Sequence, residues 1–143
     1  MREDDWANGA ARHARWTERF RVDAGAAAGL ANRKTLDPLA ETIGKAAGKR
    51  ILAEDVARLS ALQEVLYAER RRSVLLVLQA MDAGGKDGTI KHVLSGVNPQ
   101  GLSVVSFKAP GPEELAHDFL WRVHHAVPAR GMIGVFKIGR AHV

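Results

Sequence analysis

Apolar residues fall into two kinds of run along this chain, and the two alternate. In EDVARLSALQEVLYAERR, Val56, Leu59, Leu62 and Leu66 recur near helical spacing with charge between them. That predicts a helix, and its arginine-rich end suits the helix dipole. SVLLVLQA is instead a continuous apolar run of strand length, the pattern of a strand buried on both faces of a parallel sheet. TIKHVLSG predicts a second helix closed by Gly96, LSVVSFKA a second strand and MIGVF a short third one. PEELAHDFLWRVHHA opens with Pro112 at a first-turn position, continues with Glu113 and Glu114, and stops before Pro128, which predicts one helix. The order β-loop-α-β-α-β predicts an α/β sandwich built on a parallel sheet.

The first fifty residues lack this order. AGAAAGLANRK is small and polar, and LDPLAETIGKAAGKR carries Pro38, Gly44 and Gly48. Residues 1–50 therefore read as an extended arm with a short helix in RHARWTERF, and residues 51–136 as the domain proper. There is no internal repeat. With 143 residues the chain suits one domain, and 46% hydrophobic and 26% charged residues set it apart from disordered sequences. It has no cysteine, which excludes disulfides and thiolate metal sites. No apolar run reaches membrane-spanning length, and MREDDWANGA lacks the apolar stretch of a signal peptide. The expectation is a cytoplasmic protein without a membrane partner. A net charge of +5 suits a polyanion, whether nucleic acid, an acidic surface or a phosphate chain, and equally a solvated arginine-rich surface.

The candidate chemistry lies between the first strand and the helix after it. QAMDAGGKDGTI nearly spells the phosphate-binding pattern G-x-x-x-x-G-K-[ST], with Ala80 in place of the first glycine and Asp87 in place of the Ser/Thr. The context fits: a buried strand, a glycine turn, then a helix whose free N–H groups face an anion. Gly84 and Gly85 let the backbone approach closely, and Lys86 supplies a cation. Asp87 stands where a hydroxyl ordinarily ligates magnesium, and Asp82 is a second acid, tolerable chiefly with a cation between it and the phosphates. The alternative is a structural turn with a surface lysine.

In HDFLWR, helical spacing pairs Asp118 with Arg122 and His117 with Trp121. Arg122 is then either half of a surface ion pair or a planar phosphate clamp at the C-terminal ends of the strands, with Lys108 beside it. His92, His124 and His125 read as surface or packing residues, and ERRRS as a solvated helix end.

Together these segments resemble the polyphosphate kinase 2 family, the polyphosphate:nucleotide phosphotransferases. The matching stretches are DP with a following TIGK, LQEVLYAE, VLQAMDAGGKDGTIKHVLSGVNPQG, SFKAPGPEELAHDFLWR and PARGMIGVF, covering about residue 20 to Phe136. The loop variant is most similar to the subgroup acting on nucleoside monophosphates as well as diphosphates. The family uses D-x-x-G-K-[DG]-G, so the resemblance makes Asp82, Lys86 and Asp87 regular. It implies a P-loop kinase-like three-layer sandwich, of which this chain holds the N-terminal half behind its arm. It further implies Mg2+-dependent phosphoryl transfer between inorganic polyphosphate and a nucleoside mono- or diphosphate. By carry-over, Asp82, Lys86 and Arg122 are the catalytic candidates and Asp82 the metal ligand. Gly84, Gly85, Lys86, Asp87, Gly88 and Thr89 form the phosphate cradle. The full-length parent is expected to be a homo-oligomer, with no nucleic-acid partner.

After Phe136 the family continues roughly as FNRSHYEDV, a second acidic motif, whereas this chain reads KIGRAHV. Ile-Gly-Arg-Ala-His-Val is also the translation of a sequencing adapter, ATC GGA AGA GCA CAC GTC. Residues 137–143 are therefore expected to be an artefactual tail with Lys137 as the junction. Without the second motif and the lid, the chain as written is expected to be inactive. Two further classes stay open: an ATP-dependent P-loop nucleotide kinase, and a non-catalytic basic module binding nucleotides or nucleic acid.

Overall fold

A computed structural model of the chain describes residues 9–34 and 43–139, which fall into two compact units divided between residues 42 and 43. The DP of the arm and residues 140–143 of the expected tail lie outside the described residues. Among its described residues the first unit holds helix α1 (Gly9–Phe20) and a 3-10 turn at Leu30–Asn32. The helix foreseen in RHARWTERF thus begins earlier, and Trp16 and Phe20, one turn apart, stack at 5.5 Å.

The second unit runs α2 (Lys45–Glu69), β1 (Val74–Gln79), α3 (Lys86–Val93), β2 (Leu102–Phe107), α4 (Pro112–Leu115), α5 (Trp121–Ala126) and β3 (Ile133–Ile138). Helix α2 starts six residues before residue 51, because only Gly44, at φ 70°, interrupts the chain there. Its inward stripe also differs from the expected one. Leu59 and Leu66 pack on the core, but Leu62 is 57% exposed and Gln63 takes the inner position at 1%. Spacings of three, four and three from Val56 place residue 63, not 62, on the buried face.

The three strands are parallel in the order β1-β3-β2, so β3, last in sequence, fills the centre. Its alternate residues serve both faces. Ile133 and Val135 join Leu94 and Val97, with Leu59, Leu66, Leu78, Ile90, Val93 and Leu102 packed around them. On the other face Gly134 lies under the Pro128 ring, and Phe136 meets Phe107 edge-on at 4.9 Å. The doubly buried strand is therefore MIGVF, not SVLLVLQA. Val74 to Val77 are 37–48% exposed because β1 is an edge strand, among the described residues covered on only one side.

PEELAHDFLWRVHHA forms two short helices rather than one. The Asp118 carboxylate accepts the Leu120 N–H at 2.9 Å, and its carbonyl accepts that of Trp121 at 3.0 Å. This local turn competes with the helix and resets its axis. The foreseen Asp118–Arg122 pair is accordingly absent, whereas His117 still stacks on Trp121 at 4.4 Å.

Candidate phosphate-binding site

Parallel strands bring their C-terminal ends to one edge, and in open α/β sheets ligands bind there. Here that edge carries the loop after β1, Ser106 and Phe107 at the end of β2 with Lys108 just beyond, and Lys137 of β3 with Gly139 just after it. They enclose a cleft of about 690 Å³ lined by residues 82–88 together with these positions.

The loop is shaped by two left-handed residues, Ala83 at φ 61° and Gly85 at φ 77°. Glycine takes such a conformation freely, whereas alanine pays a steric cost. Gly84 is fixed by space instead: a Cβ there would stand 2.7 Å from Ala80 Cβ and 2.9 Å from the Met81 carbonyl oxygen. Lys86 turns back along the loop, its Nζ donating to the carbonyls of Ala80 at 2.6 Å and Met81 at 2.8 Å. The ammonium thus braces the turn from within while it faces the cleft.

Helix α3 begins at Lys86, three residues before the start suggested by TIKHVLSG, so Lys86, Asp87 and Gly88 form its first turn. Asp87 gains from the positive end of the helix. It also accepts from Lys137 Nζ at 2.7 Å. That hydrogen bond, and then the charges of Lys137 and Lys86, hold its carboxyl below the usual carboxylate range. In the sequence Lys137 stood at the junction of the expected tail and had no part in the site. Its side chain meets Asp87 only because β3 lies between β1 and β2, with Lys137 level with Leu78 and Ser106.

Asp82, Gly84, Gly85, Lys86, Asp87 and Gly88 all line this cleft, as does Lys108. Thr89 does not: its hydroxyl donates back to the Gly85 carbonyl at 3.1 Å, inside the first turn. Arg122 stands aside as well. Its guanidinium lies 4.9 Å over the Phe107 ring, donates to the Lys108 carbonyl at 2.9 Å and meets Glu114 at 3.1 Å. Glu114 in turn accepts the Gly111 N–H at 2.7 Å. Arg122 therefore opens on an adjoining pocket of about 140 Å³, which shares Phe107, Lys108 and Gly139 with the main cleft. Its link to the cleft runs through the backbone of Lys108.

The chain matches the family model for polyphosphate kinase 2 over residues 42–141. It belongs to the polyphosphate kinase 2 family. An ADP-polyphosphate phosphotransferase of Rhodopseudomonas palustris is 53% identical over 122 residues, 85% of this chain and 42% of that protein. An AMP/ADP-polyphosphate phosphotransferase of Meiothermus ruber is 56% identical over 99 residues, 69% of this chain and 36% of its own length. The crystal structure of polyphosphate kinase 2 from Arthrobacter aurescens superposes with a TM-score of 0.77 at 45% identity, over 85% of this chain and 44% of that one. The chain thus spans less than half the length of these polyphosphate kinase 2 relatives, and its parallel α/β fold is theirs.

Proposed function

We propose that the cleft is the phosphate-binding wall of an enzyme that moves a phosphoryl group between inorganic polyphosphate and a nucleoside mono- or diphosphate. The observation that carries this reading is Lys86, held at the C-terminal edge of a parallel sheet by its own loop, with Lys108 and Lys137 lining the same cleft. Phosphoryl transfer of this kind depends on positioning and charge neutralisation more than on covalent help from the protein. In that scheme the third donor of the Lys86 ammonium and the amides of Gly85 to Gly88 hold phosphate oxygens. The Gly84 N–H already donates to the Met81 carbonyl at 3.0 Å. Arg122 secures the β2 end through Lys108.

The donor set fits Mg2+. Asp82 lines the cleft with no ion pair among the described residues, and Mg2+ commonly takes one or two carboxylates and completes its shell with water and substrate phosphates. Bound there, the metal would neutralise charge on the transferring group. Among the described residues there is no cluster of three His, Cys, Asp or Glu to hold an ion without substrate. Asp82 alone would then be its ligand from this wall.

Competition binding on the 143-residue chain tests the reading. Polyphosphate is expected to bind and to be displaced by tripolyphosphate, with loss of Lys86 weakening both. Binding of ATP but not polyphosphate would favour an ATP-dependent nucleotide kinase. Salt-dependent RNA binding that survives loss of Lys86 would favour a basic nucleic-acid module.

A further inference from the structure

The outer edge of β1 is open. Among the described residues it faces no strand, and Val74, Leu75, Leu76 and Val77 stand 37–48% exposed beside it. Which backbone groups point outward follows from those that point inward. The Val74 N–H donates to the Met132 carbonyl at 3.1 Å, and the Ala80 N–H to the Ile138 carbonyl at 3.4 Å. Direction alternates along a strand, so Leu76 and Leu78 also face β3. Leu75, Val77 and Gln79 turn their N–H and C=O groups to the free edge. Proteins commonly blunt such an edge with lysine, proline or a bulge. VLLVLQ carries neither Lys nor Pro, and its register with β3 is unbroken. Charge stands at the two ends instead: Arg71 and Arg72 precede the strand and Asp82 follows it, all exposed.

We infer that β1 pairs with β1 of a second copy, antiparallel across a twofold axis at Val77, joining two three-stranded sheets into one. A strand with a basic start and an acidic end complements a copy of itself only in the antiparallel sense. Parallel pairing would set like charges side by side, and it does not close into a symmetric dimer. The outward groups allow an axis at Leu76 or at Val77 near the middle of the strand. At Val77, Leu75 meets Gln79, Leu76 meets Leu78, and Arg72 comes level with Asp82 of the other copy. An axis at Leu76 would bring Arg70 there instead, but Arg70 lies over the Tyr67 ring at 5.7 Å. The charged pairs sit on the rim and set direction and register, while the strand supplies hydrogen bonds and apolar contact. This contact goes beyond phosphate binding and stands whether or not the cleft takes polyphosphate.

Sedimentation velocity of the 143-residue chain, in EDTA to keep metal from Asp82, is expected to show a monomer–dimer equilibrium. Val77→Pro removes an outward N–H and leaves the ladder to β3 intact, a placement that edge strands tolerate. It should raise the dimer dissociation constant roughly 10- to 100-fold, through loss of the pair of hydrogen bonds on the axis. The chain has no cysteine, so single cysteines read the register. Val77→Cys should cross-link to its own copy on mild oxidation, because facing Cα atoms of a hydrogen-bonded pair lie about 5.5 Å apart. Val74→Cys should not, since its two copies would lie about 20 Å apart along the strands. Cross-linking of Val77→Cys without Val74→Cys supports the pairing even if Val77→Pro unfolds. A chain monomeric at every concentration, a Val77→Pro dimer as tight as the parent's, or equal cross-linking of the two cysteines would overturn it.

Discussion

Replacing Lys86 with Met is expected to lower tripolyphosphate affinity by roughly 10- to 100-fold, as the loss of charge-assisted hydrogen bonds to phosphate does. The effect has two sources in this structure. One is the cation itself, which lines the cleft. The other is the loop, since Lys86 Nζ satisfies both the Ala80 and the Met81 carbonyl. Met keeps the stem and removes the donor, so both carbonyls lose a partner and the turn around Ala83 and Gly85 loosens. Arg at this position would keep the charge, but its planar fork does not reproduce one ammonium serving two carbonyls of the same turn. Titration of Lys86→Met and Lys86→Arg checks this. Both should bind more weakly than the parent, with Met the weaker of the two.

Gly134→Ala is the second large effect, and it concerns stability rather than binding. Gly134 sits mid-strand in β3, the only strand paired on both sides among those described. A Cβ there would lie 2.7, 2.9 and 2.9 Å from three carbons of the Pro128 ring. That ring is rigid and buried, so it cannot swing away as a long side chain would, and β3 is held by ladders on both edges. Overpacking of this kind costs about 1–3 kcal/mol. Gly139→Ala is the matched control: nothing lies within 4 Å of its Cβ position, so a change within about 0.5 kcal/mol is expected. Urea unfolding of the two variants should separate them in midpoint with little change in slope. Equal midpoints would show that the Pro128 contact does not constrain the strand.

Much of this was legible in the sequence because local chemistry carried it. Pro112, the glycine turn and the apolar runs each fixed an element near its observed place. What the sequence did not show has other origins. SVLLVLQA has the more apolar run and MIGVF the shorter one, yet burial follows position in the sheet. The strand order β1-β3-β2 is a long-range outcome that no window of sequence contains. Asp118 split a well-formed helical pattern because a side chain that accepts the N–H two residues on outweighed the periodicity around it. Lys137 joined the site only through that same strand order, which sets the third strand between the loop and the end of β2. The loop was readable because its residues are contiguous, whereas the Lys137–Asp87 contact joins positions fifty residues apart.

The central claim is that anion binding belongs to this loop and not to basic surface at large. An amide chemical-shift map of the 143-residue chain titrated with tripolyphosphate tests it most directly. The account predicts that the largest shifts fall on Gly84, Gly85, Lys86, Asp87 and Gly88. Shifts confined to Arg70, Arg71 and Arg72 or to the arginines of α1, with the loop unmoved, would contradict it.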